Sequence, residues 1–252
     1  MARYFLQLAY NGKRYNGWQS QQNAPSVQDE IEKCLAYQLQ STIRLTGCGR
    51  TDTGVHARNF YAHFDCDEFE DLILSPQFLH KLNHCLAKDI AIEKVLPVTG
   101  DAHARFDAIS RTYHYQISRT KNPFSTDTHY FVYGDLNLDL MQYCASILLD
   151  YEDFTSFSKL HSQTKTNLCE IKEALFIVEP NELVFRITAN RFLRNMVRAI
   201  TGTLLEVGKG KINETDFRKI IEAKDRNRAG FSVPAHALYL QEVKFPETIW
   251  MI

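Results

Sequence analysis

The sequence lacks any apolar run of the roughly 18–20 residues that a membrane-spanning helix needs. Its start, Met-Ala-Arg-Tyr-Phe-Leu, alternates like a strand and does not resemble a signal peptide. Proline and glycine are scarce, at 7 and 11 of 252 residues, which excludes collagen-like repeats and linker-like low complexity. Neither sign of charge dominates, since 29 Lys and Arg stand against 30 Asp and Glu. We therefore expect a cytoplasmic globular protein with no membrane partner, in which any nucleic-acid site is a local patch.

The six cysteines form neither a Cys-x-x-Cys pair nor a tight cluster, which argues against a disulfide framework and a cysteine-rich metal site. Cys34 and Cys144 fall on apolar positions of helical patterns, so we interpret the cysteines as reduced apolar side chains. His80 and His84, followed by Cys85, are spaced to share a helix face. No His-Glu-x-x-His motif and no nearby carboxylate accompany them, and the sequence predicts no metal site.

The hydrophobic pattern predicts a mixed α and β chain. Ser26 with Asp29 is typical of a capping box that opens a helix. Further helices are expected from Ser75-Pro76, at 138–149, at 191–206 and after Asn213. Strands are expected near 3–10, 42–48, 58–66, 90–98, 110–118, 170–179, 183–189 and 238–245. The order strand, helix, strand, strand, helix, strand occurs about twice. This predicts an α+β fold with two similar halves, 1–105 and 106–252, sharing a mainly antiparallel mixed sheet with helices packed on it.

The most unusual segment is Gly-Cys-Gly-Arg-Thr-Asp-Thr-Gly-Val-His-Ala at 47–57, between two predicted strands. It is too long and too charged for a tight hairpin. Asp52 lies at its centre with Arg50 nearby, and a carboxylate beside an arginine stays ionised, as a nucleophile or base must. Three interpretations stay open: an Asx-type turn with a surface ion pair, a phosphate loop, whose glycine spacing does not fit, and a catalytic aspartate.

A second group of residues lies on one predicted strand. Arg111, Tyr113, Tyr115 and Ile117 share one face of it, and Arg105-Phe106-Asp107 precedes it. Basic and aromatic side chains next to each other suit a stacked nucleobase with its phosphates close by. A cross-strand aromatic pair on a core face fits the same residues equally well.

A third group lies on the helix predicted at 191–206. There Arg191, Arg194 and Arg198 are spaced i, i+3, i+7 and line up opposite a core stripe. Eleven basic and five acidic residues fall between 186 and 228. A charged stripe is usually a solvated face, but no Glu at i+4 neutralises this one. The pattern therefore favours contact with a polyanion.

Taken together, these segments resemble the TruA family of tRNA pseudouridine synthases over nearly the whole chain. The similar segments are 8–12 with 17–21, 49–57, 103–108 with 111–115, 192–198 and 238–240. The resemblance implies the pseudouridine synthase fold. It also implies isomerisation of uridine to pseudouridine at positions 38, 39 and 40 of the tRNA anticodon stem-loop, without a cofactor. The partners implied are tRNA and a second copy of the chain, a homodimer whose basic cleft takes the stem-loop.

The resemblance also assigns roles to three catalytic residues. Asp52 would be the nucleophile or a base at the ribose, and Arg198 would hold it ionised through an ion pair. Tyr113 would pack against the target base and assist removal of the C5 proton.

The substrate-binding residues implied are Tyr113 and three arginines. Arg50 would hold the nucleotide out of its stack, because a paired base cannot be reached without flipping. Arg191 and Arg194 would contact phosphates, and either is an alternative partner for Asp52. A non-catalytic RNA-binding protein of the same fold is the alternative function. A small-molecule nucleotide enzyme is disfavoured because the phosphate motifs are incomplete.

Overall fold

The structure is a computed structural model that describes residues 2–159 and 166–251. It divides into two compact units, Met1–Ile109 with Leu240–Ile252, and Ser110–Tyr239. Each unit combines antiparallel strand pairs with helices, so the predicted α+β class is confirmed. No helix of the described ranges is long and apolar enough to cross a membrane.

The helices and strands of the first unit are β1 (Arg3–Tyr10), α1 (Val27–Leu39), β2 (Thr46–Gly47), β3 (His56–Asp65), α2 (Glu70–Ile73), α3 (Pro76–Cys85), β4 (Ile90–Val98) and, near the end of the chain, β9 (Leu238–Lys244). Its main strands follow the order β4, β1, β3, β9. The β1 strand pairs antiparallel with β3 and β4, and the short β2 pairs with β3.

Alternation along β1 and β3 creates the core of the first unit. Leu6 pairs with Ala62 and Leu8 with Phe60, so these four side chains point to one face, and all are buried. Phe64 is buried on the same face of β3, and Cys66 lies just beyond the strand. The predicted strand at 42–48 is wrong in extent, because only Thr46 and Gly47 pair with β3.

Two helices of the first unit, α1 and α3, start where the sequence predicts, whereas the short α2 was not predicted. The Ser26 side chain accepts a hydrogen bond from the Asp29 N–H, 3.1 Å away, and caps α1. Ser75 caps α3 in the same manner, with Pro76 at its first position. The two helices pack against each other, and α3 also packs against β4.

The helices and strands of the second unit are β5 (Ser110–Ser118), β6 (Tyr130–Phe131), α4 (Leu138–Ile147), β7 (Ile171–Val178), β8 (Glu182–Ala189), α5 (Met196–Gly208) and α6 (Glu214–Glu222). Its strands β5, β8 and β7 pair antiparallel in this order, and the short β6 is parallel to β5. The α4 helix packs against both α5 and β7. The α6 helix starts after Asn213, as predicted, and a capping box between Asn213 and Asp216 opens it.

All six cysteines are free thiols. Cys34 and Cys144 are buried on the inner faces of α1 and α4, which confirms their predicted apolar positions. Burial raises the pKa of the Cys34 thiol to about 12, so this thiol stays protonated at neutral pH.

Candidate active site

Asp52 lies in the connection between β2 and β3, and its side chain is half-buried. The Val55 N–H donates to the Asp52 carbonyl over 3.1 Å, which closes a turn directly after the aspartate. Gly54 takes a positive φ of 79° inside this turn and donates its N–H to the Tyr15 carbonyl. A main-chain turn therefore follows the aspartate, and Gly54 fastens it to a second segment of the chain.

Thr51, the residue before the aspartate, is held by the segment that follows β1. Its hydroxyl accepts a 3.1 Å hydrogen bond from the Trp18 N–H and lies 2.9 Å from the Tyr10 hydroxyl. Because both contacts converge on one side chain, the backbone beside Asp52 is fixed on this side as well. The carboxylate therefore extends from a loop that is anchored before and after it.

Two glycines, Gly12 and Gly17, allow the segment that follows β1 to lie close to the loop that carries Asp52. A β-carbon at Gly17 would overlap the Thr51 carbonyl oxygen, and one at Gly12 would overlap the Val55 carbonyl oxygen. Gly17 also has a positive φ of 94°. No local pattern of the sequence marks either glycine as a contact of this loop. The signal that pointed to them was the similarity of the opening segments 8–12 and 17–21 to the family.

An aromatic stack lies next to the loop that carries Asp52. The Trp18 ring lies 4.1 Å from the Phe60 ring at an interplanar angle of 28°, and both side chains are buried. His56 is buried too, and its Nδ1 accepts from the Gly12 N–H at 3.0 Å. Arg50 lies on the same loop as Asp52 and is exposed to solvent.

Tyr113 lies on β5 opposite Ile187 of β8. Tyr115 and Ile117, on the same face of the strand, are fully buried, whereas Tyr113 is half-buried. The Phe192 ring meets the Tyr113 ring edge to face, with centroids 5.2 Å apart and an interplanar angle of 90°. This face of β5 is therefore core at Tyr115 and Ile117, and Tyr113 is its more accessible aromatic residue.

The helix predicted at 191–206 starts five residues later than expected. Asn195 takes a left-handed conformation, φ 68° and ψ 0°, and α5 begins at Met196. A left-handed residue interrupts a right-handed helix, so Arg191 and Arg194 precede α5 and do not share a helical stripe with Arg198. The prediction of a stripe of three arginines is therefore wrong. The apolar residues of this segment are nevertheless buried, as the predicted core stripe requires: Leu193, Met196, Val197, Ile200 and Leu204.

Arg198 lies in the first turn of α5 and is half-buried. Its Nε donates to the Val233 carbonyl over 2.7 Å, and the Val233 N–H donates back to the Arg198 carbonyl. Arg191 is half-buried and Arg194 is exposed, and the Arg194 carbonyl accepts from the Lys159 N–H. These contacts orient the Arg198 guanidinium and fasten the segment that carries the other two arginines.

Part of the basic excess between 186 and 228 has internal partners. Arg186 pairs with Glu173, Arg218 with Glu214 and Lys224 with Asp153, each at 2.9–3.1 Å. Arg226 donates to the Gly230 carbonyl and to the Ser232 hydroxyl. The count of basic residues therefore overstates the charge that this region presents to a polyanion.

His80, His84 and Cys85 line a shallow groove with Tyr37, Gln38 and Lys81. Within the described ranges, no three His, Cys, Asp or Glu side chains are grouped so that they could hold a metal ion.

Comparison with known proteins gives consistent results. A family model described as tRNA pseudouridine synthase matches residues 148–246. The chain is 50% identical over 253 residues to a protein of Parabacteroides distasonis, covering 100% of this chain and 99% of that one. It is 50% identical over 255 residues to a protein of Porphyromonas gingivalis, covering 100% of each. A protein of Clostridium acetobutylicum is 40% identical over 242 residues, covering 95% of this chain and 98% of its own length. All three are named tRNA pseudouridine synthase A.

Proposed function

The chain belongs to the tRNA pseudouridine synthase A family, and from that premise we propose that it isomerises uridine to pseudouridine in tRNA, at positions 38, 39 and 40 of the anticodon stem-loop. The observation that carries the proposal is the setting of Asp52. This half-buried carboxylate lies in the motif shared with the family, on a loop anchored through Thr51 and Gly54.

The reaction breaks the bond between N1 of the base and C1′ of the ribose and forms a bond from C5 to the same C1′. The proton on C5 leaves, and N1 takes up a proton, so substrate and product are isomers. Asp52 acts either as the nucleophile or as the base at the ribose. A carboxylate has to be both ionised and fixed in position for either role, and the anchored loop supports the second requirement.

Tyr113 packs against the target base, and its hydroxyl assists removal of the C5 proton. The edge-to-face contact with Phe192 supports this role, since it holds the Tyr113 ring in one orientation at the accessible end of β5. A ring fixed before the substrate arrives loses less conformational freedom on binding.

Arg198 forms the ion pair that keeps Asp52 charged. Its Nε already donates to Val233, so the planar group is oriented and the Nη atoms supply the pair. Arg191 or Arg194 is the next candidate for this partner.

Three arginines engage the RNA. The exposed Arg50 holds the flipped nucleotide, and Arg191 and Arg194 contact phosphates. The active form is a cytoplasmic homodimer. In a dimer, basic residues from two copies line one groove, which is longer than the groove that one chain of net charge −1 offers.

The test is conversion of uridine to pseudouridine in an unmodified tRNA transcript by the purified protein, with no cofactor or metal added. We expect stoichiometric conversion at positions 38 to 40 where these carry uridine. Binding of the transcript without conversion would instead assign the chain to the non-catalytic RNA-binding proteins of this fold.

A further inference from the structure

Phe106 is a large apolar side chain that is 73% exposed. A single exposed apolar residue is ordinary and by itself indicates nothing. Phe106 differs from an ordinary surface residue in two respects: hydrogen bonds order the loop that carries it, and an arginine lies beside its ring.

The loop 103–107 that carries Phe106 is closed by hydrogen bonds within itself. The His103 Nδ1 accepts from the Arg105 N–H at 3.1 Å and from the Phe106 N–H at 3.3 Å. Asp107 accepts from the His103 N–H at 2.6 Å and returns a bond from its own N–H to the His103 carbonyl. The backbone under the exposed ring is thereby ordered before any ligand is present, which lowers the entropy lost on binding.

The Phe106 ring is the outermost of four aromatic rings that contact one another in series, and the innermost of them lies in the core. Phe106 lies 4.2 Å from His103, whose ring edge meets His63 at 4.8 Å, and His63 stacks on Phe5 at 5.9 Å. Phe5 and His63 are buried. Burial lowers the pKa of His63 to about 4, so its ring is neutral at neutral pH and its Nδ1 accepts from the Ala104 N–H. We call the exposed Phe106 ring, which packs through His103 and His63 onto the buried Phe5, the platform.

Arg105 places a positive charge next to the platform. The Arg105 guanidinium carbon lies 5.8 Å from the centre of the Phe106 ring. An aromatic face next to a guanidinium is the combination with which proteins stack unpaired nucleobases and contact the adjoining phosphates.

The platform lies far from Asp52 within the first unit. The loop is tied to the start of β1, because Arg3 donates to the Ala102 carbonyl, whereas Thr51 is tied to Tyr10 at the end of β1. Seven residue steps of a strand separate these points by roughly 20 Å. A base stacked on Phe106 is thus a different nucleotide from the one that Asp52 attacks.

We propose that Phe106, with Arg105 beside it, stacks against an unpaired nucleobase of the tRNA substrate and positions the RNA outside the chemical site. This inference rests on the proposed function for the identity of the RNA. Phe106 is accordingly a positioning residue, which affects the affinity for tRNA and leaves the reacting atoms untouched.

The experiment compares Phe106→Ala, Phe106→Tyr and wild type in binding an unmodified tRNA transcript at one fixed salt concentration. Stacking of one base predicts that Phe106→Ala weakens binding about 5- to 150-fold, while Phe106→Tyr, which keeps an aromatic face, stays near wild type. Single-turnover conversion at saturating tRNA should be unchanged in both variants. Tyr37→Ala is the matched control, since Tyr37 is 70% exposed on α1 of the same unit.

Two results would overturn the proposal. Normal tRNA binding by Phe106→Ala in a protein that converts uridine would remove Phe106 from the RNA interface and leave the proposed function intact. A shift of Phe106→Ala toward monomers in sedimentation, with RNA binding unchanged at equal oligomeric state, would assign the platform to a second copy of the chain. Failure of the wild type to convert uridine would instead contradict the proposed function, and the binding measurement would still decide whether Phe106 contacts RNA.

Discussion

Gly17 lies so close to Thr51 that a β-carbon at position 17 would overlap the Thr51 carbonyl oxygen. Because Thr51 precedes Asp52, the position of the carboxylate depends on a residue 35 positions earlier in the chain. The segment after β1 therefore packs directly against the loop that carries Asp52. The backbones at Gly17 and Thr51 can approach this closely because Gly17 has no side chain.

Gly17→Ala should displace the loop and destabilise the protein. An L-residue in the left-handed region costs about 1–2 kcal/mol before the overlap with Thr51 is counted. We expect a lower midpoint in thermal unfolding and a reduced rate of uridine conversion. Gly49→Ala is the matched control for stability, since a β-carbon there has no atom within 4 Å. Equal unfolding midpoints for the two variants would show that the approach of Gly17 to Thr51 is not a constraint.

Asp52→Asn should abolish conversion while leaving the loop folded. The amide keeps the shape of the side chain but has neither the charge of a nucleophile nor that of a base. We expect no detectable pseudouridine, tRNA affinity reduced modestly if at all, and an unchanged unfolding midpoint. Asp71→Asn, which alters an exposed carboxylate of α2, is the control. Substantial conversion by Asp52→Asn would remove the aspartate from the chemistry.

Tyr113→Leu and Tyr113→Phe separate the ring from its hydroxyl. Loss of a stacking ring costs roughly 1–3 kcal/mol of binding, so Leu should raise the concentration of tRNA needed for half-maximal rate. Phe keeps the contact with Phe192 and loses only the hydroxyl, so it should slow the step that removes the C5 proton. Tyr133→Phe, at an 85% exposed tyrosine of the same unit, is the control in single-turnover assays. Wild-type rates for both Tyr113 variants would make Tyr113 a purely structural residue.

The parts of the fold that the sequence predicted are those governed by neighbours in the chain. The caps at Ser26 and Asn213 depend on residues three positions away, and the start of α3 depends on Pro76 next to its cap; all three helix starts are present. The start of α5 was not predictable, because Leu193 is buried as a helical pattern requires while Asn195 is left-handed. The hydroxyl contacts of Thr51 join residues 33 and 41 positions apart, and no local pattern encodes them.

Arg198→Lys and Arg194→Ala should have opposite effects. Lysine keeps the charge at 198 but loses the planar fork and the Nε bond to Val233, so it should slow conversion while tRNA binding stays near normal. Arg194→Ala should weaken binding and reduce its salt dependence by about one unit of slope, as loss of one phosphate contact does. Binding across a salt series beside single-turnover kinetics measures both, with unfolding midpoints as the check on structure. A flatter salt slope and intact chemistry in Arg198→Lys would transfer the Asp52 pair to Arg191 or Arg194.

His63 and His103, whose rings contact each other behind Phe106, should make folding stability depend on pH. Burial lowers the pKa of His63 from 6.5 to about 4. Between these values the unfolded chain binds a proton that the folded protein does not, so stability is fully present above about pH 6.5 and is lost as the pH falls toward 4. The loss amounts to up to about 3 kcal/mol, and His103, whose pKa is also lowered by burial, adds to it with the same sign. Urea unfolding at several pH values measures the slope. His63→Gln should be less stable than wild type at pH 7 but should lose less stability over this range, and parallel curves for the two proteins would contradict the assignment to His63.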